Sequence, residues 1–267
     1  MPASWRRIAL RLQYDGAPFA GSQRQLGQPT VQAALEEAVA ALTAERLRAD
    51  FAGRTDAGVH ATGQVAAITS TAALPPRRWR SGLNHYLPRS VAVQQAREVP
   101  LDFDPRGWAC DRTYHYRIAL ADVRQPLREG WAWVQRGALD RRRMQAALDR
   151  LIGEHDFAAF AAAPSRPGAV RTMQEARVEE TAEGFRFVFR AQSFLPHQIR
   201  RTVGQVVRIG RGDEAPDRID RLLAEPRTGS AGPTAPPQGL ILVRVRYALA
   251  QLADWNNDHE DVCRSQA

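Results

Sequence analysis

Residues 51–63 read Phe-Ala-Gly-Arg-Thr-Asp-Ala-Gly-Val-His-Ala-Thr-Gly, and this stretch joins two segments of strand-like sequence. Its single carboxylate, Asp56, lies between Arg54 and His60. Glycine adopts backbone conformations and allows close approaches that other residues do not, and aspartate tolerates turn geometry. The stretch therefore predicts a tight loop that presents Asp56 at a surface. The alternative for Asp56 is a residue that only caps a turn.

Hydrophobic periodicity on both sides of this loop predicts an α+β unit. Apolar residues that alternate with polar ones predict strands, and apolar residues at helical spacing after Thr30, a candidate N-cap, predict a helix. The order is strand-helix-strand-strand-helix-strand, as in a ferredoxin-like unit. The predicted strands are 6–15, 47–52, 63–70 and 90–99, and the predicted helices are 31–42 and 75–86.

The second half of the chain repeats this order of elements without evident sequence identity to the first. We predict two ferredoxin-like lobes with mainly antiparallel sheets and a catalytic cleft between them, at 1–107 and 108–250. A polar tail at 251–267 is predicted to be peripheral, and 224–237, rich in Pro, Gly, Ser and Thr, a mobile loop. The predicted elements of the second half are strands at 114–120, 171–180, 184–192 and 238–247, and helices at 139–152 and 195–209.

Composition indicates a basic, globular protein. Hydrophobic residues make up 44% of the 267 residues, so the chain can bury a sizeable core. All 37 basic residues are arginine, and with 29 acidic residues the net charge is +8, which favours a polyanionic partner such as nucleic acid. No apolar run approaches the roughly 20 residues of a membrane span, and the first residues lack the apolar region of a signal peptide. We therefore expect a cytoplasmic protein that does not enter a membrane.

The loop around Asp56 resembles the active-site signature of the TruA family of tRNA pseudouridine synthases. Residues 53–60, Gly-Arg-Thr-Asp-Ala-Gly-Val-His, carry this resemblance. Ser22 is a departure, because an aromatic residue is expected at that position. Further segments that fit the family pattern are 14–16, 23–25, Asn84, 87–88, 112–116, 194–200 and 239–243.

The resemblance implies a cofactor-free enzyme that isomerises uridine to pseudouridine at positions 38, 39 and 40 of the tRNA anticodon stem-loop. It also implies a homodimer in which one tRNA contacts both subunits. The N1–C1′ bond of the nucleoside breaks, the uracil turns, and a C5–C1′ bond forms. No group is lost and no redox change occurs, so the overall reaction requires no cofactor.

Three residues are the predicted catalytic group. The resemblance implies that Asp56 is the essential catalytic group. Asp56 would attack C1′ of the sugar, add to C6 of the base, or assist the formation of a glycal. Arg200, which follows His197 at the family's His-x-x-Arg spacing, is the predicted ion-pair partner, since a guanidinium binds a carboxylate in a fork; the adjacent Arg201 is the competing candidate. Tyr114 is predicted to stack on a flipped uracil.

Further residues are candidates for contacts with RNA. Arg54 is predicted to fill the gap that a flipped nucleotide leaves, as the resemblance implies. For the others a structural or surface role is an equal alternative. They are His60, Gln64, Arg24 and His197. The run 141–143, Arg-Arg-Arg, is predicted to be a solvated helix start that could also touch phosphates.

Three other functions remain open at this point. The chain could be a pseudouridine synthase for a different RNA, or an RNA-binding protein without chemistry. The joint presence of Asp56, Tyr114 and Arg200 argues against the second of these. A metal-dependent RNA hydrolase is disfavoured, because the sequence shows no cluster of carboxylates or histidines at metal-ligand spacing.

Overall fold

The computed structural model describes residues 4–164 and 168–256. The predicted order of elements in the first half is confirmed, and Thr30 Oγ1 accepts a hydrogen bond from Ala33 N at 3.2 Å as the N-cap of the first helix. The second predicted strand is reduced to two residues, and the third begins at His60, three residues earlier than predicted. The elements are β1 (Arg6–Tyr14), α1 (Val31–Thr43), β2 (Asp50–Phe51), β3 (His60–Ser70), α2 (Pro76–Tyr86) and β4 (Val91–Val99).

The second half contains the predicted helices and strands and three short elements that were not predicted, at 133–135, 153–156 and 218–224. The last predicted helix begins three residues later than expected, because His197 adopts a left-handed backbone conformation (φ 61°). The elements are β5 (Ala109–Leu120), β6 (Trp133–Gln135), α3 (Arg141–Asp149), β7 (Gly153–Asp156), β8 (Val170–Thr181), β9 (Gly184–Ala191), α4 (Gln198–Arg211), α5 (Arg218–Ala224) and β10 (Leu240–Tyr247). Short 3-10 segments cover Ala158–Phe160, Pro237–Gly239 and Ala250–Asn256.

All ten strands join one sheet. The strand order is β4-β1-β3-β10-β5-β9-β8-β7, with β2 paired to β3 and β6 paired to β5. Pairing is antiparallel except between β10 and β3 and between β5 and β6, so the predicted α+β class with mainly antiparallel strands is confirmed. Strand β10 is the last of these strands in the sequence. It lies between β3 of the first half and β5 of the second half. The division into lobes at residue 107 stays a prediction.

The helices bury their apolar faces against the sheet and against each other. Helix α2 packs on β4 and α1, and α3 packs on β8 and α4. Helix α4, with 14 residues, is the longest α-helix described. No helix within residues 4–164 and 168–256 is long and apolar enough to cross a membrane.

The beginning of the predicted tail belongs to the core, which corrects the expectation that it is peripheral. Residues 250–256 form a 3-10 segment that contacts β4 and β10. Leu252 and Trp255 are buried there, at 0% and 2% exposure. Two large apolar side chains in a polar segment are enough to attach it to the sheet, because burial of each favours docking by about 1.5–3 kcal/mol. The rest of the predicted tail, 257–267, lies outside the described residues.

Candidate active site

The loop between β2 and β3 is held through Thr55, the residue before Asp56. Ser22 Oγ accepts a hydrogen bond from Thr55 N at 2.9 Å, and Ser22 N donates to Thr55 O at 3.0 Å. The Thr55 hydroxyl lies 2.8 Å from the hydroxyl of Tyr14, which is buried in β1. The backbone next to Asp56 is therefore attached both to the sheet and to the loop that follows β1.

The far side of the loop requires glycine at one position. Gly58 has φ 76°, a left-handed conformation that glycine adopts at little cost. A Cβ atom at Gly58 would also lie 3.0 Å from Cγ of Pro237. The chain segment before β10 thus packs directly against the loop that carries Asp56.

Asp56, in the first half of the chain, is paired with residues of the second half. Arg200 Nη1 donates to Asp56 Oδ2 at 3.0 Å, and His197 Nε2 lies 3.5 Å from the same oxygen. The Asp56 side chain keeps 34% of its surface exposed, whereas Arg200 keeps 13%. A carboxylate held by a nearly buried cation, yet open on its other side, can act on a molecule that enters the site.

Arg200 itself is oriented from behind by the segment before β10. Its Nε donates to Ala235 O at 2.8 Å, and Ala235 N donates back to Arg200 O at 3.1 Å. Arg201, the competing candidate, points elsewhere and donates from Nη1 to Gly229 O at 2.9 Å. The structure therefore brings Arg200, and not Arg201, to Asp56.

Tyr114 lies on β5 beside the same loop. Its ring packs edge-on against Phe194 with 5.3 Å between ring centres, and its side chain is only 7% exposed. The hydroxyl faces Gly53, where an added Cβ atom would be 3.7 Å away. Burial is the main cause that raises the pKa of Tyr114 above its usual value, and Tyr14 and Asp56 add to it. The hydroxyl is therefore neutral and protonated at physiological pH.

Arg112 is a buried cation that the sequence analysis did not select. Its guanidinium donates to Ala52 O at 3.2 and 2.7 Å, to Arg106 O at 2.9 Å and to Gln192 O. Burial lowers the pKa of Arg112, although an arginine stays charged. Arg112 thus ties the start of the catalytic loop to β5 and β9. The signal was its place in 112–116, a segment that fits the family pattern and from which only Tyr114 was selected.

Two predicted RNA contacts are internal in the structure. His60 is fully buried; Gly16 N donates to its Nδ1 at 3.1 Å, Nε2 lies 3.0 Å from Gly130 O, and the ring stacks on Trp131 at 4.2 Å. Burial is the main cause that lowers the pKa of His60, so the ring is neutral and Nε2 is the donor to Gly130. Gln64, also fully buried, donates to Gly53 O at 2.8 Å. His60 and Gln64 therefore support the loop of Asp56 from the interior of the protein.

The remaining candidates are accessible from solvent. Arg54 is exposed at the surface of the loop. Arg24 has 60% of its side chain exposed and forms an ion pair with Glu36 on α1. His197 has 36% exposed, beside Asp56. These three side chains, unlike His60 and Gln64, are accessible to a large molecule from solvent.

No group of three or more His, Cys, Asp or Glu side chains within the described ranges is arranged to hold a metal ion. The metal-dependent hydrolase considered above therefore has no candidate ligand set in this part of the chain. The site brings together one carboxylate, Asp56, one arginine, Arg200, and one tyrosine, Tyr114.

Comparison with known proteins first places the chain in a class, the pseudouridine synthases, which isomerise uridine in RNA. A family model described as "tRNA pseudouridine synthase" matches residues 12–106 and 147–248. This match covers more than half of the chain, including the loop of Asp56 and the start of α4.

Curated relatives then identify the family within that class. "tRNA pseudouridine synthase A" of Myxococcus xanthus is 41% identical over 243 residues, which cover 90% of this chain and 92% of the relative. Proteins of the same name from Chloroflexus aurantiacus (strain ATCC 29366 / DSM 635 / J-10-fl) and Herminiimonas arsenicoxydans are 46% and 42% identical, over 91% of this chain and 89% and 90% of their own length. The chain belongs to the TruA family of tRNA pseudouridine synthases, and it is an isomerase that acts on uridine in tRNA.

Proposed function

We propose that this enzyme converts the uridines at positions 38, 39 and 40 of the tRNA anticodon stem-loop to pseudouridine, with Asp56 as the essential catalytic group. The observation that carries the proposal is the pairing of Asp56 Oδ2 with Arg200 Nη1 at 3.0 Å while a third of the Asp56 side chain stays open. The resemblance of 53–60 to the TruA signature supports the choice of substrate positions.

Arg200 orients the carboxylate and supplies its counter-charge when substrate excludes water from the site, because a fixed cation favours the charged form of a nearby acid. Asp56 then serves any of the three routes named above, which are attack at C1′, addition at C6, and proton removal that forms a glycal. In each route the N1–C1′ bond breaks and C5 bonds to C1′. C5 loses its hydrogen to solvent and N1 gains one, so the product is an isomer.

The reacting uridine has to leave the helix stack to reach Asp56. We propose that its base lies against Tyr114, whose neutral hydroxyl can donate a hydrogen bond to the base or sugar. Arg54 is exposed on the loop, and its planar guanidinium fills the space that the base leaves in the stack. This contact offsets part of the cost of unstacking, which is about a few kcal/mol. His197 and Arg24 contact RNA at the edge of the site. His60 and Gln64 act only through the loop that they support.

The test uses unmodified tRNA transcripts with tritium at C5 of uracil and no added metal or cofactor. Wild type is expected to release tritium, and Asp56→Asn is expected to release none while its Kd for tRNA stays within about threefold, since the fold and the RNA surface are intact. Transcripts in which uridines 38, 39 and 40 are replaced by cytidine should release none with wild type.

Tritium release by Asp56→Asn at the wild-type rate would overturn the catalytic role of Asp56. Release from the cytidine-substituted transcripts at the wild-type level would overturn the proposed positions. The homodimer and the cytoplasmic location are further parts of the proposal, supported by the family resemblance. Sedimentation of the wild type with and without tRNA tests the homodimer.

A further inference from the structure

A segment of 41 residues beside the catalytic loop contains no acidic residue. Between Asp56 and Glu98 the sequence has five arginines and no Asp or Glu, although acidic residues are common elsewhere in the chain. Such a segment cannot neutralise its own charge. The arginines in it depend on other parts of the fold, or on a partner, for counter-charge.

Four of these arginines are exposed on α2 and on the turn that follows it, and we call this set the α2 arginine surface. Helix α2 buries Trp79 and Leu83 on its inner side and exposes its basic residues on the other. The surface consists of Arg77, Arg78, Arg80 and Arg89. In the described part of the chain none of their side chains forms an ion pair or hydrogen bond. Two of them, together with Arg97 on β4, line a groove of about 210 Å³.

The other arginine-rich segment, 141–143, differs in this respect. Arg141 pairs with Glu180, and Arg143 donates to Ile209 O at 3.1 Å and to Glu214 O at 3.0 Å. Arg141 and Arg143 therefore have structural partners at the start of α3. The four arginines of the α2 arginine surface have no such partners within the described residues.

The α2 arginine surface begins at the catalytic edge of the sheet and leads away from it. The turn after α2 is bonded to the chain beside the site, because Ser90 O accepts from Asp15 N at 2.9 Å and the next residue, Gly16, donates to His60. From that turn the eleven residues of α2 run outward over about 16 Å, at about 1.5 Å per residue. Arg89 is thus close to the site, and Arg77 is remote from it.

We propose that the α2 arginine surface binds the phosphate backbone of the tRNA substrate beyond the nucleotides that react. The proposal rests on the proposed function, since it takes tRNA as the partner. Guanidinium groups bind phosphate oxygens in a fork and stay charged. A nucleic-acid duplex carries about one charge per 1.7 Å of axis, so a surface about 16 Å long meets several phosphates.

The experiment measures the Kd of full-length tRNA between 50 and 200 mM KCl for wild type and for the triple variant Arg77→Gln/Arg80→Gln/Arg89→Gln. We expect the Kd to rise on the order of tenfold and the slope of log K against log salt to fall by about two to three units, near one for each phosphate that the variant no longer neutralises. At saturating tRNA, kcat should be unchanged, because none of the three arginines contacts Asp56, Arg200 or Tyr114.

The matched control is Arg124→Gln/Arg221→Gln/Arg227→Gln, which removes the same charge at exposed arginines that have acidic neighbours. Its Kd and salt slope should stay close to wild type. If the two triple variants lose equal affinity, only net charge matters and the inference is wrong. If wild type binds tRNA but releases no tritium, the proposed function fails, and the difference between the two variants still decides the inference.

Discussion

At the scale of single residues, the loop of Asp56 is positioned through Thr55, the residue before it. Thr55 N donates to Ser22 Oγ and the Thr55 hydroxyl is hydrogen-bonded to that of Tyr14, whereas the Asp56 carboxylate pairs with Arg200 and His197 of the second half. In the sequence, Ser22 is notable only as a departure from the family pattern, which has an aromatic residue at this position. In the structure it is 1% exposed, and its hydroxyl satisfies the buried Thr55 N–H. Ser22 is therefore a positioning residue for Asp56.

Ser22→Ala is expected to lower kcat by roughly tenfold to a hundredfold, because small misplacement of a catalytic group costs that much. It should also lower the free energy of unfolding by about 1–3 kcal/mol, since Thr55 N loses its acceptor. The Kd for tRNA should not change. The measurements are tritium release at saturating tRNA and urea unfolding. Ser230→Ala, at an exposed serine, is the control, and an equal kcat for Ser22→Ala and wild type would contradict the positioning role.

At the scale of elements, the position of Arg200 depends on how α4 packs against the segment before β10. Residues 224–237 were predicted to be a mobile loop, but the part from Gly229 onward is bonded to α4 at Arg200, Arg201 and Gln205. Gly204 makes this possible, because a Cβ atom there would lie 1.8 Å from Pro233 O. Helix α4 and this segment together form the wall behind Arg200.

Gly204→Ala should therefore destabilise the protein, although alanine is favoured over glycine inside a helix by about 1 kcal/mol. The added methyl group displaces Pro233 and, with it, the Ala235 carbonyl that orients Arg200. We expect a net loss of about 1–3 kcal/mol in unfolding free energy, as for overpacking, and a lower kcat. Urea unfolding and tritium release measure the two effects.

Gly82→Ala in α2 is the matched control for this change. There the added Cβ atom would meet only the end of the Leu42 side chain, which can rotate away. Its stability should stay within about 1 kcal/mol of wild type, because the helix propensity of alanine offsets the crowding. Gly204→Ala with the stability and kcat of wild type would show that the segment before β10 does not orient Arg200.

At the scale of the whole molecule, one sheet carries both halves of the site. Strand β10 pairs with β3 on one side and with β5 on the other. Tyr247 on β10 donates from its hydroxyl to Pro105 O at 2.6 Å, and Arg112 on β5 donates to Ala52 O in the first half. Changes in the stability of the sheet should therefore affect Asp56 and Arg200 together.

Acid should weaken this sheet through two histidines whose pKa values the fold lowers, the half-buried His115 and the buried His60. Burial, with Arg186, Arg117 and Arg177 nearby, lowers the pKa of His115 on β5 to about 3, and burial also lowers the pKa of His60. In the unfolded chain the pKa of a histidine is about 6.5. Below that pH the unfolded state binds more protons, so the free energy of unfolding falls as the pH decreases from about 6.5 towards 3.

Urea unfolding at pH 7.5, 6 and 5 should show this loss for wild type. His115→Gln cannot take up the proton, so the difference in its unfolding free energy between pH 7.5 and pH 5 should be smaller than that of wild type. His85→Gln, at an exposed histidine on α2, should follow the wild-type profile. The same pH dependence in His115→Gln and wild type would remove His115 as a cause of acid sensitivity.

The fold was predictable where local patterns are long. The alternation in β1 and the capped apolar face of α1 are confirmed close to their predicted ends. The strands β6 and β7, of three and four residues, were missed because so few residues show no period. Pairing with β5 and β8, the neighbouring strands in the sequence, defines them, and the residues of β6 and β7 alone do not record that pairing.

The sequence by itself determined the family and the loop of Asp56, because the residue types of 53–60 are local and unusual in combination. The family spacing favoured Arg200 over Arg201, and the tertiary structure decided between them, since neighbouring helix positions point about 100° apart and the rotation of α4 depends on its packing. It also decided that His60 and Gln64 face inward, and that Ser22 and Arg112 hold the loop. Those roles depend on contacts between residues up to 144 positions apart, which no local pattern records.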